Sequence, residues 1–113
     1  MLNAIGLQNV GVDRFLEEKL PRLREHDTAV VANVFGETEA DYVEVCSKLD
    51  GVPGMAAIEL NVSCPNTEAG GMIFSNDPRA LGAVTRACRK ATSVPLMVKL
   101  SPNASDFVGT ALA

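Results

Sequence analysis

The sequence predicts an α/β fold built on a parallel sheet. Three strand-sized apolar runs alternate with segments whose apolar residues recur at helical spacing, and each run ends in or next to a polar residue. With 113 residues, 47% of them hydrophobic and 21% charged, the chain is long enough for one domain with a core. A net charge of -4 without any basic stripe argues against nucleic acid, whose binders cluster Lys and Arg to displace counterions. No apolar run approaches the ~20 residues that span a bilayer, and the N-terminus carries no cationic flank before an apolar signal core. No membrane association is expected, and the expected setting is cytoplasmic.

The first helix is expected over residues 13–26, with Leu16, Leu20 and Leu23 on one face; Pro21 is placed to kink or split it. The first strand, 29–34, is almost wholly apolar, as expected where both faces are covered. Thr38 followed by Asp41 reads as a capping box opening a second helix, on which Tyr42, Val45, Cys46 and Leu49 share a face. A second strand at 56–62 runs into a loop rich in turn formers, 63–76, long for a strand-to-helix connection. Asp77 and Pro78 supply an N-cap and a first-turn proline for a third helix, with Leu81, Val84, Ala87 and Cys88 facing the core. The third strand is expected at 94–100, followed after Ser101, Pro102 and Asn103 by a last helical stretch. Three strand–helix steps cannot close a barrel, so a longer parent is expected on both sides.

The chemistry concentrates at the strand ends. Asn33, Asn61 and Lys99 each stand at or near the C-terminal end of a strand, and in a parallel sheet those ends converge on one face, where (β/α)8 enzymes build their sites. The competing reading is that the asparagines satisfy loop backbone while the lysine reaches solvent. Three cysteines, Cys46, Cys64 and Cys88, are spaced 18 and 24 residues apart, which suits neither a disulfide framework nor a zinc site. Cys46 and Cys88 fall on helical core faces. Cys64 differs, because it sits in the turn Asn61, Val62, Ser63, Cys64, Pro65, Asn66 just beyond the second strand. There a thiol can serve as base or nucleophile if donors or positive charge depress its pKa, and the alternative is a buried, inert thiol. The flanking amides suit a planar ring bearing carbonyls and ring nitrogens. The single histidine, His26, ends a charged stretch and offers no relay partner.

Residues 61–66, the pair Gly70 and Gly71 before Phe74, Asp77 with Pro78, and the run 95–103 together resemble class 1 dihydroorotate dehydrogenases, and within them class 1B, the bacterial form that passes electrons to NAD. Residues 3–9 resemble that family's substrate-binding segment, so the resemblance covers the whole chain. It implies a partial TIM (β/α)8 barrel of about three to four βα units, a piece of the FMN-binding catalytic domain spanning residues 1–113. It further implies oxidation of (S)-dihydroorotate to orotate in pyrimidine synthesis, with FMN as hydride acceptor.

By the same resemblance Cys64 is the catalytic base, where class 2 enzymes carry serine. Asn33, Asn61 and Lys99 are flavin contacts. Asn3, Ala4, Ile5, Gly6, Leu7, Asn61 and Asn66 are substrate contacts, and residues 67–76 form a mobile loop over the site. No metal is implied. The expected partners are dihydroorotate, a second copy in a homodimer, and an iron–sulfur/FAD electron-transfer subunit. The family's upstream lysine and downstream FMN-phosphate loops have no counterpart in these residues, so the isolated chain is expected to be inactive. Dihydropyrimidine dehydrogenase, which shares the barrel and a similar cysteine loop, is the alternative enzyme; Asn66 and the glycine pair favour the orotate enzyme. A non-catalytic fragment is the alternative of a different kind.

Overall fold

The structure is a computed structural model that describes residues 7–63, 74, 77–101 and 106–112. Helix α1 (Val12–Arg14), a π-helical stretch (Phe15–Lys19) and α2 (Leu20–Leu23) lead into strand β1 (Val30–Val34). Then follow α3 (Glu39–Leu49), β2 (Met55–Asn61), α4 (Pro78–Ala91), β3 (Leu96–Lys99) and α5 (Phe107–Leu112). The strands form one three-stranded sheet in the order β1-β2-β3, with both pairings parallel. This mixed α/β arrangement is compatible with consecutive steps of a (β/α)8 barrel.

The helix boundaries follow local chemistry. Thr38 Oγ1 accepts from the Asp41 N–H at 3.2 Å while Asp41 Oδ2 accepts from the Thr38 N–H at 2.8 Å, completing the capping box of α3. Asp77 Oδ1 accepts from the N–H groups of Arg79 (2.9 Å) and Ala80 (3.3 Å), with Pro78 opening α4. The helix expected over 13–26 is broken into three pieces and ends at Leu23. Pro21 has no N–H to donate to Glu17, and its ring would meet the Glu17 carbonyl in a regular α-helix. The chain widens before it, and the Leu20 N–H bonds instead to Phe15 O, five residues back.

The core lies between one face of the sheet and the helices α3 and α4. Val34, Ile58, Leu60 and Val62 meet Tyr42, Cys46 and Leu49 of α3 and Leu81, Val84 and Cys88 of α4. Fully burying one such aliphatic side chain contributes about 1.5–3 kcal/mol. Cys46 and Cys88 are wholly buried in this core, as their helical spacing predicted. The Cys88 thiol is pushed up by its hydrogen bond to Cys46 and by burial, which keeps it protonated and unreactive.

The expectation that β1 is covered on both faces is not met. Only its even-numbered residues face the helices; Val31 remains 46% exposed and Asn33 is exposed, because no described element covers the other face. Met97 on β3 is likewise 43% exposed. No helix among the described residues is long and apolar enough to cross a membrane.

Candidate active site

The uncovered sheet face carries the polar chemistry. Alternation along a strand sends Ile58 and Leu60 into the core and leaves Ala57, Glu59 and Asn61 for the opposite side. The register sets these residues beside their neighbours: Val31 pairs with Ala57, Asn33 with Glu59, Glu59 with Met97, and Asn61 with Lys99. Towards the C-terminal ends of the strands this face therefore changes from apolar (Val31, Ala57) through mixed (Asn33, Glu59, Met97) to polar (Asn61, Lys99). Asn33, Asn61 and Lys99 are thus brought to one side of the sheet at one end.

The amides are held in different ways. Asn61 is 5% exposed. Its Oδ1 accepts from Ser63 Oγ at 2.9 Å, and its main-chain oxygen accepts from the Tyr42 hydroxyl at 2.8 Å. Asn33 Nδ2 donates to Glu59 Oε1 across the strand pair. Lys99 ends β3 with an exposed side chain. Glu59, which sequence reasoning passed over, lies on this same face. The signal was available, since a charged residue between Ile58 and Leu60 in a buried strand has to share the side of Asn61.

Tyr42 joins the end of β2 to Phe35 and Phe74. Its ring meets Phe35 edge-on at 6.3 Å and Phe74 at 5.8 Å, while its hydroxyl holds the Asn61 carbonyl. Of the remaining predicted site residues, Cys64, Asn66, Asn3, Ala4, Ile5 and Gly6 lie outside the described residues, as do the two glycines, Gly70 and Gly71. Leu7 is described and 40% exposed. It lines a cleft of about 530 Å³ together with Asn33, Val31, Phe35 and Phe15. Neither Asn61 nor Lys99 lines that cleft; among the described residues the cleft meets the open sheet face at Asn33 and Val31.

A face with an apolar floor, two fixed amides and one ammonium is suited to a planar ring system with carbonyl oxygens and ring nitrogens. FMN fits that description, and so does a pyrimidine-like substrate.

The sequence as a whole, residues 1–113, matches the family described as dihydroorotate dehydrogenase. The chain belongs to the dihydroorotate dehydrogenase family. Three relatives, each named dihydroorotate dehydrogenase B (NAD(+)), catalytic subunit, illustrate how near the likeness is. The protein of Trichlorobacter lovleyi is 52% identical over all 113 residues, that of Geobacter sp. (strain M21) 53%, and that of Geobacter sulfurreducens 52%. In each case the chain spans 37% of the relative's length. In this chain the described residues form three neighbouring parallel strands, with Asn33, Asn61 and Lys99 at or near their C-terminal ends.

Proposed function

We propose that this chain is part of the FMN-binding (β/α)8 barrel of an NAD-linked, B-type dihydroorotate dehydrogenase, a cytoplasmic enzyme that oxidises (S)-dihydroorotate to orotate in pyrimidine synthesis. The observation that carries the reading is the convergence of Asn33, Asn61 and Lys99 on one open face at the C-terminal ends of parallel strands, in a chain about half identical to proteins named for that activity.

Asn33 and Asn61 hold the ring system by hydrogen bonds to its edge, and Lys99 sets a cation where negative charge collects on reduction. When bound, FMN supplies a hydride acceptor for the hydrogen leaving C6 of dihydroorotate. Cys64, three positions beyond the end of β2 in the sequence, takes the proton from C5. Asn66 and the residues Asn3, Ala4, Ile5, Gly6 and Leu7 position the pyrimidine ring. The name shared by the relatives, a catalytic subunit, supports a second kind of subunit; that this subunit transfers electrons through iron–sulfur and FAD groups, and that the assembly is homodimeric, is part of the same proposal.

The test is a visible spectrum of a full-length catalytic subunit containing this segment, recorded after FMN loading and desalting and again after anaerobic dihydroorotate. A retained flavin band that bleaches with dihydroorotate, but bleaches far more slowly in the Cys64→Ala variant, is the expected result. Bleaching by dihydrouracil and not by dihydroorotate overturns the substrate in favour of a dihydropyrimidine dehydrogenase. Absence of retained flavin overturns the enzymatic reading in favour of a non-catalytic chain.

A further inference from the structure

Glu59 is the single charged side chain inside β2, and its position is costly for the fold alone. Its sequence neighbours Ile58 and Leu60 are fully buried, and it is flanked across the sheet by Asn33 and Met97. A β-branched or apolar residue would suit the middle of a central strand better, because a carboxylate there gives up part of its hydration and contributes no apolar burial.

What Glu59 does make is the hydrogen bond from Asn33 Nδ2 to its Oε1, between residues paired directly in the β1–β2 register. A carboxylate can only accept, so the Asn33 amide must turn its NH2 group towards Glu59, and its Oδ1 is then directed away. Asn61 is held differently. Its partner is the Ser63 hydroxyl, which can serve either end of an amide. Of the two amides on this face, only that of Asn33 has its polarity fixed by the chemistry of its partner.

We propose that Glu59 is a positioning residue that locks the Asn33 amide with its oxygen outward, so that Asn33 accepts a hydrogen bond from a ring N–H of the bound flavin rather than donating to a ring carbonyl. This role rests on the flavin reading given above. It assigns no contact between Glu59 and the flavin; its effect passes through Asn33. Glutamine at 59 can both donate and accept, so it releases the lock with almost no change of shape.

The experiment measures FMN affinity of the apo form of a full-length catalytic subunit containing this segment, by flavin fluorescence quenching, together with the position of the bound flavin's visible band. Four proteins are compared: unsubstituted, Glu59→Gln, Asn33→Ala, and the double variant. Glu59→Gln is expected to weaken FMN by about tenfold, equivalent to about 1.4 kcal/mol, and to shift the visible band in the same sense as Asn33→Ala. In the Asn33→Ala background Glu59→Gln should change nothing further, because the amide it orients is gone. An unsubstituted protein that binds FMN and a Glu59→Gln variant with equal affinity and an unmoved band overturn the role of Glu59 and leave the flavin reading intact. A full tenfold loss on top of Asn33→Ala also overturns it, since Glu59 would then act without Asn33. Failure of the unsubstituted protein to bind FMN overturns both. If Glu59→Gln does not fold, the swapped pair N33D/E59Q decides, since it restores donor and acceptor across the same register. FMN affinity within about threefold of the unsubstituted protein supports the lock, and folded protein that binds no FMN overturns it.

Discussion

Replacing Tyr42 by Phe removes one oxygen atom from the most tightly enclosed aromatic of the structure. Tyr42 is 1% exposed, and its hydroxyl donates to the main-chain oxygen of Asn61 at 2.8 Å. The ring contacts survive the change, because both the Phe35 and the Phe74 edge-on packings involve only carbon. Two effects remain: the net worth of a neutral hydrogen bond, about 0.5–1.5 kcal/mol, and the desolvation of a buried carbonyl that has lost a donor, about 1–3 kcal/mol when no substitute is found. The two overlap, so a loss of about 1–2 kcal/mol is expected, which is a factor of about 5–30 in the folded-to-unfolded ratio. Urea denaturation of the apo form of a full-length subunit containing this segment reads it as a lower midpoint at unchanged slope. Tyr42→Leu should cost more, because each edge-on ring pair adds about 0.5–1.5 kcal/mol beyond its burial. If Tyr42→Phe unfolds at the same urea concentration as the unsubstituted protein, the hydroxyl does not hold the end of β2 and the account of how Asn61 is fixed is wrong.

Two further perturbations test the local packing and electrostatics. A methyl group on Gly36 would stand 2.8 Å from Asp41 Cβ and 2.9 Å from the Tyr42 main-chain N, so Gly36→Ala must push α3 off the end of β1. A loss of about 1–3 kcal/mol is expected, and a thermal melt that does not move refutes the close approach. Asp50, just past α3, accepts from the Ser93 N–H at 2.6 Å, from Ser93 Oγ at 2.9 Å and from Thr92 Oγ1 at 3.0 Å, joining the end of α3 to the turn before β3. The Ser93 N–H first, then the Ser93 and Thr92 hydroxyls, hold its carboxyl below the usual range. A folded-state pKa depressed below the unfolded ~3.9 means that its stabilisation is fully present above about pH 4 and is lost as pH falls through the folded value. Asp50→Asn should therefore flatten the stability profile in that acid window and leave its shape above pH ~5 unchanged; equal slopes in both proteins below pH ~4 would refute the role of Asp50.

The parts of the fold that were legible are those decided locally. The apolar runs at 29–34 and 56–62 became Val30–Val34 and Met55–Asn61, and the caps at Thr38 and Asp77 formed as their spacing required. Each depends on residues within a turn of one another. The third strand begins at Leu96 rather than at residue 94: the Val94 N–H bonds to Thr92 Oγ1, Pro95 has no N–H to give, and Thr92 and Ser93 are themselves held by Asp50. The hold of Asp50 on Ser93 could not be read from residues 94–100, since the two stand 43 positions apart. The π-helical stretch was half legible. Pro21 announced a defect, but not whether the helix would bend, stop or widen; the chain widened over Phe15–Lys19.

The same division explains what was read and what was missed on the open face. Asn33, Asn61 and Lys99 stand out because a polar residue at the end of an apolar run needs a reason, and a shared parallel edge supplies one. Glu59 stands inside its run, and its meaning depends on a register between strands, Asn33 beside Glu59, that neither segment encodes alone. Parity could have gone part of the way, since Ile58 and Leu60 in the core assign residue 59 to the side of Asn61. What parity cannot supply is the partner. A one-residue slip of β1 against β2 would place Asn33 among the core residues and leave Glu59 beside an apolar neighbour, which would penalise both strands. The Asn33–Glu59 pair therefore favours the register it depends on, and residues that shape the candidate site also help to specify the sheet beneath it.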